Sequence, residues 1–306
     1  MTFPLRGVFT AMITPFDANG AFDAITYASL VDNQLKNGVA GIVPCGTTGE
    51  SPTLSHAEHD YVIELTIDLV KGQIPVIAGT GSNSTAEAIR LSQHAEKVGA
   101  DAVMVVNPYY NKPTQEGLYL HFKAIANSVK IPCIIYNIKS RTGVNLETET
   151  LIRLCQTCPN ISGVKEASGD LRQMKDVIAN TSDDFNVLSG DDNMAIDLIQ
   201  AGGDGVISVA SNLVPDKMVM MVEAALKSDF DYARKLEYEL SILFKALFLE
   251  TNPIPIKAAM AMAGLCLEQY RLPMCPLSSE THRNRLKETL EELNIIEKTA
   301  IESVIV

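Results

Sequence analysis

Short apolar runs rich in Val and Ile recur along the chain at intervals of roughly 20 to 35 residues, each followed by a stretch with helical periodicity. This alternation is typical of successive βα units. Eight such runs favour a closed (β/α)₈ TIM barrel over an open sheet. The predicted strands are 7–14, 41–45, 75–79, 102–107, 132–137, 161–166, 185–189 and 205–208.

The intervening segments have the pattern of amphipathic helices. In segment 86–98, apolar side chains at positions 88, 91, 95 and 98 share one face. Ser84 stands three residues before Glu87, which is a capping-box pattern and predicts the start of this helix.

The strand pattern stops beyond about residue 213, and segment 216–301 has the pattern of several helices interrupted by prolines. We therefore expect a catalytic barrel at 1–225 and a helical region at 226–306 that packs on the barrel and on other subunits. The final segment, 294–306, ends in an apolar stretch whose role the sequence does not indicate.

Composition narrows the classes of function. The chain has 306 residues, is 46% hydrophobic and contains no apolar run long enough to span a bilayer. Its net charge of −12, with no basic stripe, argues against nucleic-acid binding. The N-terminal residues lack the pattern of a signal peptide, so we expect a cytoplasmic protein with reduced cysteines. Cys155 and Cys158 have a metal-site spacing but lack further partners, so no metal site is expected.

Lys165 lies near the end of the sixth predicted strand, directly before a polar loop. Burial there would remove the hydration of its ammonium group and lower its pKa, which would make the amine a nucleophile for ketones near pH 7. Taken alone, a lysine in this position is more often an ordinary surface residue. The neighbouring strand ends favour the functional interpretation.

In an eight-stranded barrel the active site lies at the carboxyl ends of the strands. These ends are polar: Gly-Thr-Thr-Gly-Glu at 46–50, Asn-Pro-Tyr-Tyr at 107–110, Tyr-Asn at 136–137, Ser-Arg-Thr-Gly at 140–143 and Gly-Asp-Asp at 190–192. An amine, phenols, paired threonines and an arginine at one mouth suit a keto acid. The glycine-rich turn lacks the Gly-Lys-Ser/Thr ending of a phosphate loop.

These motifs, with Gly-Val-Lys-Glu-Ala at 163–167 and Asn-Pro-Ile-Pro-Ile-Lys at 252–257, resemble those of the pyruvate-dependent class I aldolase and lyase superfamily. The similarity runs from about residue 7 to residue 293 and is strongest to the dihydrodipicolinate synthase family. The combination of motifs is highly specific.

The resemblance implies that Lys165 forms an imine with pyruvate, whose enamine attacks L-aspartate 4-semialdehyde on the diaminopimelate route to L-lysine. No cofactor and no metal are implied. Tyr136, Thr47 and Tyr110 would form a proton relay. Tyr110 would come from a neighbouring subunit of a homo-oligomer, expected to be a tetramer built as a dimer of dimers.

The resemblance also assigns the substrate contacts. Thr47 and Thr48 would hold the pyruvate carboxylate, and Arg141 would hold the carboxylate of the semialdehyde. Ile207 would line the site through its main-chain carbonyl. At Lys139 the family commonly has proline, so the rigidity and charge of this loop are less certain.

Three alternatives stay open. Sialic-acid lyases and ketodeoxygluconate aldolases share the superfamily, but they act on polyhydroxylated aldehydes and need no Arg141 for a second small carboxylate. A keto-acid sensor on the same barrel would be expected to have lost Lys165 or Tyr136. The synthase activity is therefore favoured over these three alternatives.

A second ligand is implied by similarity to the lysine feedback site of bacterial and plant relatives. His56, His59 and Glu87 would supply groups for the carboxylate and the ammonium of L-lysine. The alternative is a polar subunit interface. The matching residues are Ser51, His56, His59, Asn83, Glu87 and Tyr109.

Overall fold

The computed structural model describes residues 5–298, which contain eight parallel strands. The C-terminal end of segment 294–306, from residue 299 onwards, lies outside the described residues, as do residues 1–4. The strands are β1 (Gly7–Ala11), β2 (Gly41–Val43), β3 (Ile77–Gly79), β4 (Ala102–Val106), β5 (Cys133–Asn137), β6 (Ile161–Glu166), β7 (Asn186–Ser189) and β8 (Gly205–Ser208).

The sheet closes into a barrel. Its strand order is β2-β1-β8-β7-β6-β5-β4-β3, and a parallel bridge between Ile42 and Val76 joins the two outer strands. The predicted (β/α)₈ barrel is confirmed. The first two predicted strands were too long at their carboxyl ends. The second ends before Cys45, whose φ of 56° is left-handed and turns the chain out of the sheet.

Side chains alternate between two apolar layers along each strand. In β1, Phe9 points to the cluster inside the barrel, whereas Val8 belongs to the larger cluster between the sheet and the helices. In β6, Val164 lies in the outer cluster. Lys165, the next residue, therefore faces the interior of the barrel.

Within residues 5–298, twelve α-helices surround or follow the strands. They are α1 (Ala24–Lys36), α2 (His56–Val70), α3 (Thr85–Val98), α4 (Gln115–Ala126), α5 (Lys139–Thr142), α6 (Thr148–Thr157), α7 (Leu171–Asn180), α8 (Ala195–Gln200), α9 (Pro215–Leu226), α10 (Phe230–Ala246), α11 (Ile254–Met262) and α12 (Glu280–Glu292). None of these helices is long and apolar enough to cross a membrane.

The predicted start of α3 is confirmed, but its capping box is only half formed. The Ser84 side chain accepts a hydrogen bond from the Glu87 backbone N–H at 3.4 Å. The Glu87 carboxylate does not return to the N-cap; it binds Ser82 and His56 instead. The Glu87 side chain, which the sequence predicted as a helix cap, is thus directed toward the barrel mouth.

The helices after α9 pack on the barrel and on one another. Helix α10 lies against α8 and α9, and α12 lies against α10 and α11. The segment that leads into α11 reaches the carboxyl ends of the first strands, where Asn252 contacts Thr48. The division of the chain at residue 225, and any contact of the C-terminal region with other subunits, stay predictions.

Candidate active site

Lys165 lies at the carboxyl end of β6, opposite Tyr136 of β5 and Leu188 of β7. Its side chain is buried, with 5% of the residue exposed. The Nζ atom is 4.2 Å from the centroid of the Tyr136 ring. The structure thus brings together the amine and the phenol that the sequence predicted as partners.

Burial lowers the pKa of Lys165 to about 8, while the carboxylates of Asp191 and Asp192 oppose this shift and Arg141 adds to it. At pH 7 a lysine with this pKa is neutral roughly 300 times more often than one with the ordinary value of 10.5. Lys165 therefore has the electrostatics of a Schiff-base nucleophile.

Gly190 leaves room for the lysine side chain. A Cβ atom at this position would lie 2.4 Å from Ala167 Cβ and 3.2 Å from Lys165 Cε. The glycine follows β7 and is fixed by a 2.8 Å hydrogen bond from its N–H to the Glu166 carbonyl. A side chain at position 190 would therefore clash with Ala167 and crowd Lys165.

Tyr136 is buried on the same inner face as Lys165. Burial raises its pKa to about 12, and a side-chain hydrogen bond with Thr47 acts in the opposite direction. The phenol therefore stays protonated at neutral pH and can donate or relay a proton. The Thr47–Tyr136 part of the predicted relay lies within one subunit.

Thr48 is buried beside Thr47 in the loop after β2. Its Oγ1 accepts a 3.0 Å hydrogen bond from Asn252 Nδ2. Because this bond uses a lone pair, the Thr48 hydroxyl hydrogen is directed elsewhere and can donate to a carboxylate. The segment around Asn252 was known from the sequence only as a matching motif, so this contact was missed.

Arg141 lies on the short helix α5 and is exposed. Its Nη2 donates to the Asn252 carbonyl at 3.1 Å, and its Nη1 contacts Thr251 Oγ1 at 3.5 Å. Lys139 occupies the first position of α5, a position that proline favours. The turn is closed by the Gly143 N–H bonded to the Lys139 carbonyl at 2.9 Å, a bond that proline at position 139 would also accept.

Glu166, the residue after the lysine, faces the helix layer. Its carboxylate accepts hydrogen bonds from Asn137 Nδ2 at 3.1 Å, the Ser168 N–H at 2.8 Å and Gln173 Nε2 at 3.2 Å. Burial raises the pKa of Glu166. These bonds fix the outer side of β6 directly behind Lys165. Apart from the polar motif, nothing in the sequence indicates them.

The remaining predicted catalytic and substrate-binding residues, Tyr110 and Ile207, lie in different surroundings. Tyr110 is 87% exposed and has a left-handed φ of 72°. It does not line the cavity that contains Tyr136. Ile207 is fully buried in β8, in the same inner cluster as Tyr136, and like Lys165 and Thr48 it does not line that cavity.

A cavity of about 370 Å³ extends from Tyr136, Thr47 and Arg141 to most of the predicted lysine-binding residues. Its wall includes Ser51, His56, His59, Glu87 and Tyr109. Asn83 is not part of this wall, but its carbonyl accepts a hydrogen bond from Asn111 near the same loops. Tyr136, Thr47 and Arg141 thus share one space with these predicted regulatory residues, whereas Lys165 and Thr48 do not line it.

The histidines in this wall differ in environment. His56 is exposed, and its Nε2 lies 2.7 Å from Glu87 Oε1. His59 is buried and donates from Nε2 to the Gly79 carbonyl at 2.9 Å, and burial lowers its pKa to about 4. Hydrogen bonds from Ser82 and His56 lower the pKa of Glu87. At neutral pH the wall therefore holds a neutral His59 and an anionic Glu87.

No group of three or more His, Cys, Asp or Glu side chains within residues 5–298 is arranged to hold a metal ion. Cys155 and Cys158 are free thiols.

Comparison with known proteins is consistent across sequence and structure. The model of the dihydrodipicolinate synthetase family matches residues 4–293. The 4-hydroxy-tetrahydrodipicolinate synthase of Syntrophus aciditrophicus is 53% identical over 291 residues, which are 95% of this chain and 99% of that protein.

Two solved structures are similar over the same length. The Acinetobacter baumannii dihydrodipicolinate synthase, chloride-inhibited and complexed with pyruvate, is 43% identical, with a TM-score of 0.93 over 95% of this chain and 100% of that chain. The Cyanidioschyzon merolae enzyme, solved with lysine bound, is 38% identical, with a TM-score of 0.93 over 96% of this chain and 100% of that chain.

Proposed function

The chain belongs to the dihydrodipicolinate synthetase family, and we propose how its residues carry out the reaction of that family. The reaction is the condensation of pyruvate with L-aspartate 4-semialdehyde, through a Schiff base, in L-lysine biosynthesis. The observation that supports the proposal most directly is the buried Lys165 amine beside Tyr136, with its pKa lowered to about 8.

The neutral Lys165 amine attacks the ketone carbon of pyruvate, and loss of water gives the imine. Loss of a proton from the pyruvate methyl group gives the enamine. Tyr136, hydrogen-bonded to Thr47, donates a proton to the carbinolamine hydroxyl that leaves as water, takes up the proton lost from the methyl group, and later protonates the alkoxide formed from the aldehyde. The enamine carbon attacks the aldehyde, and the substrate amine then displaces Lys165 in the cyclisation step.

The substrate carboxylates have separate anchors in this proposal. Thr47 and Thr48 bind the pyruvate carboxylate through hydroxyl and backbone donors. Arg141, oriented by the Asn252 carbonyl at 3.1 Å, binds the carboxylate of the semialdehyde. The Ile207 carbonyl forms part of the floor beneath the imine. A polyhydroxylated aldehyde offers Arg141 no such carboxylate, which favours the synthase reaction over the sialic-acid and ketodeoxygluconate reactions.

We further propose a cytoplasmic homotetramer in which Tyr110 of one subunit completes the relay of its neighbour. The exposure of Tyr110 supports this proposal, because 87% of the residue is accessible in a single chain. The strained left-handed backbone at this residue is of the kind found at functional sites. The C-terminal region would provide further subunit contacts.

We also propose feedback inhibition by L-lysine at the cavity wall that contains Ser51, His56, Glu87 and Tyr109. Glu87 would bind the lysine ammonium group, since its pKa is lowered and it is anionic at neutral pH. His59 would act as a neutral hydrogen-bonding residue rather than as a charge. The lysine-bound relative from Cyanidioschyzon merolae supports an amino-acid site in this fold.

The test is intact mass after borohydride reduction in the presence of pyruvate. We expect one pyruvyl adduct in the natural chain and in Lys139→Ala, which removes an exposed lysine near the mouth, and none in Lys165→Ala. Turnover with aspartate semialdehyde, compared with sialic acid and ketodeoxygluconate, then identifies the reaction. Absence of an adduct in the natural chain would leave a keto-acid binding barrel.

A further inference from the structure

A buried ion pair lies directly behind the threonine loop, outside the catalytic residues assigned above. Lys257 on α11 is fully buried, and its Nζ lies 2.6 Å from Glu50 Oε1. The same ammonium group donates to the Thr14 carbonyl at 3.0 Å and lies 4.3 Å from the centroid of the Phe16 ring. Such a group requires close partners, because an unpaired charge is strongly disfavoured in the interior.

Glu50 is the last residue of the Gly-Thr-Thr-Gly-Glu loop and has an unusual backbone. Its φ of 52° is left-handed, a conformation that residues with a Cβ atom rarely adopt. Its second carboxylate oxygen accepts a hydrogen bond from the Arg271 N–H at 3.2 Å. Contacts from α11 and from the loop before α12 therefore hold this residue in a conformation that it would otherwise leave.

The conformation of Glu50 is connected to Thr47 and Thr48 by a short network. The Glu50 N–H bonds to the Thr47 carbonyl at 3.1 Å, and the Gly49 N–H bonds to the Gly46 carbonyl at 3.1 Å. Thr14, whose carbonyl binds Lys257, also donates from Oγ1 to the Gly49 carbonyl at 2.6 Å. A movement of Glu50 would therefore move the donors that face the pyruvate carboxylate.

We propose that Lys257 and Glu50 are positioning residues that hold the threonine loop in the geometry that binds the pyruvate carboxylate. This proposal rests on the function proposed above, in which Thr47 and Thr48 contact that carboxylate. The ion pair touches neither substrate. It acts through the loop, so its removal weakens pyruvate binding more than it weakens binding of the semialdehyde at Arg141.

If the ion pair only stabilised the fold, its loss would change the Tm but not pyruvate binding. The double variant Lys257→Met/Glu50→Gln distinguishes this role from positioning of the threonine loop. Removing both charges while keeping side-chain volume is often close to neutral for stability, whereas removing one leaves a buried charge without a partner. We expect single variants with a lowered Tm, and a double variant with a Tm near that of the natural chain. In the double variant, the pyruvate concentration for half-maximal borohydride trapping should rise by about 10- to 100-fold.

Recovery of both the Tm and the pyruvate half-saturation in the double variant would overturn the proposal. A control removes the partly exposed Arg283–Glu268 ion pair, whose Nη2–Oε1 distance is also 2.6 Å, through Arg283→Met/Glu268→Gln. The proposal requires that this control leave pyruvate half-saturation unchanged. A natural chain without any adduct would instead contradict the proposed function, so the two failures are distinguishable.

A second variant keeps the test decisive where the double variant does not fold. Glu50→Asp keeps the charge but shortens the side chain by one methylene group, so the 2.6 Å contact with Lys257 can form only if the loop moves. We expect a raised KM for pyruvate with an almost unchanged KM for aspartate semialdehyde. An unchanged KM for pyruvate in this variant would contradict the proposal.

Discussion

The Lys165 amine lies over the face of Tyr136, with 4.2 Å between Nζ and the ring centroid, and the two residues are register partners on neighbouring strands. The ring face favours the ammonium form, whereas burial disfavours it. Burial dominates, because the net pKa of Lys165 falls to about 8. The pair thus places a partly neutral amine against a protonated phenol.

Lys165 should destabilise the folded protein at neutral pH. Its folded pKa of about 8 lies below the ordinary 10.5, so the native state is penalised wherever the lysine is charged in both states, below pH 8. Lys165→Met should therefore raise stability at pH 7 by about 1–3 kcal/mol. The gain should disappear between pH 8 and pH 10.5.

Thermal unfolding of the natural chain and of Lys165→Met at pH 7 and at pH 10 measures this difference. Lys139→Met, at an exposed position on α5, is the control and should change the Tm little at either pH. A Lys165→Met protein less stable than the natural chain at pH 7 would show that the lysine is held in its charged form without cost.

Asp191→Asn should move the pH profile of imine formation to lower pH. Among the charged groups that act on Lys165, the Asp191 carboxylate makes the largest contribution that raises its pKa. Without that charge, the amine is neutral at lower pH and attacks pyruvate there. Borohydride trapping rates between pH 6 and pH 9 measure the shift. Asp197→Asn is the control: Asp197 of α8 lines a second cavity together with Asp191 but is not among the charges that act on Lys165, so the profile should stay in place.

The barrel was predictable because its eight strands are buried and leave a repeated apolar pattern in the chain. Lys165, Tyr136 and the threonines were predictable because the barrel directs all strand ends to one mouth. Glu87, the glutamate of the predicted capping box, shows what local spacing cannot predict. The spacing of Ser84 and Glu87 fits a helix cap, yet the carboxylate binds Ser82 and His56, groups that only the folded chain brings near.

Contacts over long sequence separation were not predictable. Asn252 donates to Thr48 across 204 positions, and Lys257 pairs with Glu50 across 207 positions. No local periodicity encodes such pairs, because they form only when α11 packs over the carboxyl ends of the strands. These residues belong to family motifs, but nothing in the sequence alone explains why they are needed.

Glu87→Gln should weaken inhibition by L-lysine while leaving the uninhibited enzyme intact. The change removes the charge that would pair with the lysine ammonium, and we expect the half-inhibitory lysine concentration to rise about tenfold or more. Turnover without lysine should change less than about twofold, since Glu87 touches no substrate in the proposed mechanism. Glu64→Gln, on α2 beside His94, is the control. A natural chain whose turnover and Tm are unchanged in millimolar lysine would exclude the feedback site.

Subunit complementation should show whether Tyr110 acts in a neighbouring active site. Tyr110→Phe and Lys165→Ala should each lower turnover by about 10²-fold or more. In a mixed dimer, the subunit with intact Lys165 receives an intact Tyr110 from its partner, so equimolar co-expression should restore about a quarter of the natural activity. Lys165→Ala mixed with Tyr136→Phe is the control and should restore no activity. Lys165 Nζ and the Tyr136 ring centroid lie 4.2 Å apart within one barrel, so neither subunit can supply the residue that the other lacks. Equal recovery in both mixtures, or in neither, would contradict the shared site.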